Sequence, residues 1–158
     1  GDPSDLFSVM PETFQAFEQE GKTIGQRMNH AMKNVFLKGY EKVVLTGSDI
    51  PNLNTEMIQA AFDQMQDIVI GPSADGGYYL IGCRASIDLT PVFEAPIVWG
   101  KQEVLQATLQ RLGTYDVVLL SSLQDIDYPS DLKQIYPKLK TENHYLRQWL
   151  EKNRGVLE

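Results

Sequence analysis

Positive charge, cysteine, histidine and long apolar runs are all scarce in this chain. Lys and Arg number 14 against 21 Asp and Glu, a formal net charge of -7. That balance excludes a nucleic-acid backbone or an anionic membrane as the expected partner. A phosphorylated ligand would still be admissible, given a metal ion or a local basic patch to offset the repulsion. The single cysteine, Cys83, rules out an internal disulfide and fits a reducing, cytoplasmic setting. It follows the apolar run Tyr79 to Ile81, which reads as a small buried side chain rather than a nucleophile. The two histidines, His30 and His144, have no companions at metal-ligand spacing and read as structural or exposed. No stretch approaches the roughly 20 apolar residues of a transmembrane helix, and no signal peptide is visible. The chain opens GDPSD without an initiator Met, which fits a tag remnant or a trimmed N-terminus. Walker-type loops, GxSxG elbows and CxxC pairs are absent.

What is present is an alternation of helical and strand patterns over 158 residues, enough for one domain with a proper core. Gly1–Ser8 is polar, and Phe7–Phe17 reads as a short strand or turn plus a weak helix. A helix is expected from about Thr23 to Leu37, with Ile24, Met28, Ala31, Met32 and Val35 on one stripe and Gly39 as its stop. The organising stretch is Val43–Gly82. VVLTGSDIPNL and DIVIGPSADGGYYLIG each read as a buried strand running into a turn of Gly, Asp and Pro. Between them, Asn54 caps a helix whose inner face is Met57, Ile58, Ala61, Phe62 and Met65. The two strands should therefore be parallel, with a further strand at Tyr78–Cys83 antiparallel to its predecessor. Arg84–Pro96 reads as irregular. A helix over Lys101–Leu112, a strand over Tyr115–Leu120, a helix opened by Pro129 and a C-terminal helix within 141–158 follow. The last of these should turn Tyr145, Leu146, Trp149 and Leu150 inward.

Ligands of such sheets lie beyond the carboxyl ends of the strands, so the acidic turns are the candidate site. Asp49 follows the first strand and could hold a divalent cation; it could equally cap its own turn or the next helix. Asp125 and Asp127 follow the last strand, and only one of them is expected to point into a given place; Asp127 could also cap the helix at Pro129. In DGGYY, Asp75 could take a sugar hydroxyl or an acceptor's proton, while Gly76 and Gly77 would let backbone N–H groups approach a ligand, or simply make a tight turn. Tyr78 and Tyr79 should face opposite sides, one towards the site and one into the core. Among the loop cations Lys22, Arg27, Arg84 and Lys101, the better phosphate contacts are Arg27, after Gly25, and Lys101, after Trp99-Gly100.

GSDIPNL, GPSADGGYYLIG, APIVWGKQEVLQATLQRL and DIDYPSDL, in this order, together with QEGKTIGQRMNHAM, resemble the GT-A-type, glycosyltransferase-like family also known as radical-SAM/selenodomain-associated transferases. Its more distant relatives are the 2-phospho-L-lactate and molybdenum cofactor guanylyltransferases. The resemblance covers Gln19–Leu132. It implies an α/β, Rossmann-like nucleotide-diphospho-sugar transferase fold, a three-layer sandwich with a mostly parallel sheet. It implies Asp49 and Asp127 as ligands of Mg²⁺ or Mn²⁺, Asp49 and Asp75 as the catalytic carboxylates, and Gly76, Gly77, Tyr78, Trp99, Gly100, Lys101 and Arg27 as the substrate-binding set. The implied partners are a nucleotide or nucleotide-sugar and a small-molecule acceptor. Thr23, Ile50 and Tyr128 depart from the family pattern without removing a proposed ligand. Nothing in Gly1–Phe17 matches the basic glycine-containing loop with which full-length relatives begin, so the fold is expected to be N-terminally incomplete. Two readings follow: a metal-dependent glycosyl- or nucleotidyltransferase, or a non-catalytic α/β binding module lacking that loop. A missing first strand would leave a sheet edge that a homodimer could cover.

Overall fold

A computed structural model describes residues 13–139 and 141–156. Helix α1, Ile24–Phe36, starts where Thr23 Oγ1 accepts the N–H of Gln26 at 3.2 Å, and the chain leaves it through Gly39 at φ +90°. Strand β1 is Lys42–Thr46. Asn54 then caps α2, Thr55–Gln64, its Oδ1 accepting from Met57 N at 2.9 Å; such a cap contributes about 1 kcal/mol. Strands β2, Ile68–Pro72, and β3, Tyr78–Arg84, are followed by α3, Thr90–Phe93, and α4, Val104–Arg111. Strand β4 is Val117–Leu119, α5 is Pro129–Ile135 and α6 is His144–Lys152.

The sheet order is β1-β3-β2-β4. Strands β1 and β2 do run in the same direction, but they are not neighbours: β3 lies between them and pairs antiparallel with both, and among the described residues only β2 and β4 pair in parallel. The expected mostly parallel sheet is therefore a mixed one. The cause is the tight connection at Ser73–Gly77, where Ser73 N–H donates to the Gly77 carbonyl at 3.1 Å and doubles the chain straight back. The consequence for the site is unchanged, because β1, β2 and β4 still deliver their carboxyl ends to one edge.

Helices cover both faces. On one, Met32 of α1, Val92 and Phe93 of α3 and Leu112 after α4 pack on Val43, Ile68, Ile70, Ile81 and Cys83. On the other, Ala61 of α2 and Met65 pack on Val69, Tyr79 and Leu80. A β-bulge apportions the tyrosines. Pro72 is opposite Tyr78 and Gly71 opposite Leu80, so Tyr79 is the extra residue. Tyr78 then joins the first cluster while Tyr79 and Leu80 both join the second. Tyr79 lies flat over Gly71, where a Cβ would sit 2.4 Å from the ring, and its hydroxyl donates to the Ser121 carbonyl at 3.1 Å.

Several local expectations need correcting. From residue 13 to 20 the chain has no helix or strand, so the weak helix read over Phe7–Phe17 is absent there; residues 7–12 of that reading lie outside the described residues. Arg84–Pro96 is not wholly irregular: α3 forms within it and sends Leu89, Val92 and Phe93 into the core. Lys101–Glu103 form a turn rather than the start of α4. Ile24 is exposed at the start of the α1 stripe. On α6, Leu150 is buried, but Tyr145 and Trp149 are 78% and 50% exposed. The reason is that α6 rides on a small third cluster with Ile135 and Leu139, not on the sheet.

Candidate functional site

The edge where β1, β2 and β4 end carries a cavity of about 610 Å³. Its walls include Asp49, Asp75, Gly77, Tyr78, Trp99, Gly100, Lys101, Arg27 and Asp127, residues drawn from segments up to 100 positions apart in the chain. Asp125 and Ser73 are there as well. Of the candidate residues, Gly76 is not part of the wall. At φ +93° it passes under the turn before α4, where a Cβ would meet the Gln102 carbonyl at 2.2 Å, and its own carbonyl accepts from Leu105 N–H at 3.0 Å. Its lack of a side chain serves packing. Lys22 and Arg84 also lie outside the cavity walls. Arg84 ends β3, which runs against its neighbours and so finishes at the opposite edge; there its guanidinium donates to the carbonyls of Gln66 and Met65.

Backbone hydrogen bonds fix the three acidic loops to one another. Leu123 N–H donates to Pro72 O at 3.1 Å and Ala74 N–H to Leu123 O at 2.9 Å, extending the β2–β4 pairing into the turn that bears Asp75. Asp75 Oδ1 accepts from the Ser73 hydroxyl and from Gly77 N–H, which orients its carboxylate. Helix capping, the alternative role for Asp49 and Asp127, is taken by other residues. Asn54 caps α2, and Asp131 Oδ2 accepts the N–H groups of Asp127 and Tyr128 at 3.1 and 2.8 Å.

Among the described residues, the carboxylates that converge are those of Asp75, Asp125 and Asp127, with one oxygen from each within 4.8 Å of the others. Asp49 stands outside this triad, its carboxylate folded back towards Gly47, where a Cβ would lie 2.9 Å from Oδ1. The expectation that only one of Asp125 and Asp127 could point into the site fails for a simple reason. Residues two apart share a side of an extended chain, and it is Ile126 between them that turns away, into the third cluster. The two-residue spacing from Asp127 is the sequence signal that could have identified Asp125. Burial is the main cause holding the Asp125 carboxyl above its usual range; a backbone hydrogen bond opposes it, and the charges of Asp75, Asp127 and Asp49 add to it.

The rest of the cavity wall is mixed. Trp99 meets Tyr78 edge to face, ring centroids 6.4 Å apart at 86°. The Tyr78 hydroxyl is buried, and burial raises its pKa strongly. The Thr108 hydroxyl nearby opposes this only in part, without a hydrogen bond of normal geometry. Gly25 lets α1 press directly on this wall: a Cβ there would fall 1.9 Å from Phe93 O and 3.0 Å from the Trp99 ring. One helical half-turn on, Arg27 lines the cavity, its Nε donating to Gly21 O at 3.2 Å, and Lys101 is part of the wall as well.

A protein named "putative nucleotide-diphospho-sugar transferase", from Desulfovibrio desulfuricans G20, has the same fold over 99% of this chain and 72% of its own, with TM-score 0.85 and 34% identity. No curated protein matches the chain. The chain is therefore nucleotide-diphospho-sugar-transferase-like in fold, as the motif blocks imply. Residues 1–101 match a family described as "Uncharacterized protein conserved in bacteria", DUF2064, and the chain belongs to that family.

Proposed function

We propose that the cavity at the β1, β2 and β4 carboxyl ends binds a nucleotide or nucleotide-sugar through a divalent cation and transfers a glycosyl or nucleotidyl group to a small-molecule acceptor. The observation that carries this reading is the convergence of Asp75, Asp125 and Asp127 in a cavity whose wall also includes Arg27 and Lys101. Three carboxylates suit a hard cation, Mg²⁺ or Mn²⁺, that takes oxygen ligands and keeps positions for water and phosphate. Asp125 is shifted upward by burial first and then by the charges of Asp75, Asp127 and Asp49, and a cation would offset those charges. When bound, such an ion neutralises charge developing on a diphosphate.

The protein's own groups would do the rest. Arg27 and Lys101 supply positive charge to phosphate oxygens, and the Trp99–Tyr78 pair excludes water from one side. Asp75, held by Ser73 and Gly77, keeps its carboxylate at a fixed angle. Asp49 serves as a wall carboxylate rather than as one of the metal pair first expected, Asp49 and Asp127. The test is calorimetric titration of nucleoside diphosphates and their sugars, with and without Mg²⁺ or Mn²⁺. Metal-dependent binding lost in Asp125→Asn supports the reading. Binding that ignores both metal and substitution contradicts it and favours a non-catalytic module.

A further inference from the structure

Asp49 has a cavity on each side. The second, of about 600 Å³, opens between the loop after β1 and helices α5 and α6, and shares Ser48, Asp49 and Ile50 with the first as a common wall. Its remaining lining is largely apolar and includes Leu132, Tyr145 and Trp149. The exposure of Tyr145 and Trp149, one helical turn apart on α6, follows from this: they border an open cavity instead of a core.

Charge separates the two cavities. The first has Arg27 and Lys101 in its wall together with its carboxylates. Among the described residues that line the second, there is no Lys or Arg, and the one carboxylate is that of Asp49. A phosphorylated ligand would meet uncompensated repulsion there in a chain of net charge -7. A neutral molecule with an apolar face and several hydroxyls meets none. Its flat face can lie on the indole and phenol rings, while its hydroxyls donate to the Asp49 carboxylate or exchange hydrogen bonds with Ser48.

From this the geometry points to the second cavity as the acceptor subsite, taking a neutral carbohydrate ring stacked on Trp149 and Tyr145, with one hydroxyl directed at Asp49 on the wall shared with the nucleotide cavity. The word acceptor rests on the function proposed above; the binding of a neutral sugar does not.

The two tryptophans of the chain fall one to each cavity, which makes the test direct. Trp99→Phe leaves Trp149 as sole emitter, and Trp149→Phe leaves Trp99. Methyl glycosides of glucose, galactose, mannose and N-acetylglucosamine are titrated into each, with glycerol as a control lacking a ring and glucose 1-phosphate as a charged counterpart. At least one glycoside should shift Trp149 emission saturably and leave Trp99 emission unchanged. Tyr145→Ala should weaken that response by about tenfold, roughly 1.4 kcal/mol, and glucose 1-phosphate should act on Trp149 more weakly than the neutral glycoside. Absence of a saturable Trp149 response to every glycoside overturns the proposal, as does a response to glucose 1-phosphate that equals or exceeds it. Uridine diphosphate with Mn²⁺, read at Trp99, reports on the nucleotide cavity separately. Loss of that signal alone contradicts the function proposed above and leaves the sugar subsite standing.

Discussion

The backbone N–H of Ile126 donates to the carbonyl oxygen of Asp49 at 3.1 Å. This one bond ties the loop after β1 to the loop after β4. It also explains how the acidic side of the cavity is arranged: Ile126 faces inward to the third cluster and anchors Asp49, while Asp125 and Asp127 on either side of it turn to Asp75. Asp49 is thereby held at the boundary of two cavities, outside the triad.

The pH dependence of the metal-free protein should carry the signature of Asp125. Its folded-state pKa is raised, by burial first, so the folded protein binds the extra proton and stability falls as pH rises from the ordinary Asp value through the raised one. Thermal melts of wild type and Asp125→Asn without divalent metal should diverge across that window, the variant being the more stable at neutral pH. Wild-type stability that climbs through the same window would contradict the shift.

Two glycines with positive φ should respond differently to alanine. Gly76→Ala places a Cβ against the Gln102 carbonyl at 2.2 Å in addition to the strain of φ +93°, whereas at Gly100, φ +77°, nothing lies within 4 Å. Gly100→Ala should cost about 1–2 kcal/mol, the conformational term alone. Gly76→Ala should cost more, and it should perturb Trp99 emission because the turn it supports leads from Trp99 into α4. Urea denaturation of both variants measures the difference.

Cys83 should be inert in the native protein. Burial, with a smaller contribution from Asp88, pushes its thiol up to about 12, so almost no thiolate exists near neutral pH. Thiol reagents should label it only on unfolding. The linkage has the same sign as for Asp125: stability is intact below the unfolded thiol value of about 8.5 and declines as pH rises towards the folded one. Rapid native labelling would place Cys83 outside the core.

Removing a phosphate contact should weaken binding without unfolding the chain, since Arg27 and Lys101 are both exposed. Lys101→Ala and Arg27→Ala should each lower nucleoside diphosphate affinity by about tenfold or more, near the 1.5–3 kcal/mol of a charge-assisted hydrogen bond. Calorimetry alongside thermal melts separates affinity from stability. Arg27→Ala carries the larger structural risk, because Arg27 Nε also holds the Gly21 carbonyl.

Much of this was legible in the sequence because it is local. The cap at Asn54, the stop at Gly39 and the tight turn in DGGYY are decided by neighbouring residues. The shared direction of β1 and β2 was legible too, which placed Asp49 and Asp75 on one edge. What sequence could not supply was order. Nothing in Tyr78–Arg84 says that it inserts between β1 and β2, since that depends on which edges are free when the hairpin closes. The same limit hid the third cluster, so Tyr145 and Trp149 read as core by periodicity alone. Asp125 was passed over through a misapplied alternation rule, although its spacing from Asp127 is the pattern that puts both on one side.

In the proposed function Asp75, Asp125 and Asp127, rather than Asp49, hold the cation. Electron paramagnetic resonance of Mn²⁺, titrated with wild type, Asp125→Asn, Asp127→Asn and Asp49→Asn in the presence of a nucleoside diphosphate, tests it directly. The free-ion signal should disappear with wild type and with Asp49→Asn and persist with Asp125→Asn and Asp127→Asn. Mn²⁺ bound as tightly by Asp125→Asn as by wild type, or released by Asp49→Asn alone, would contradict it.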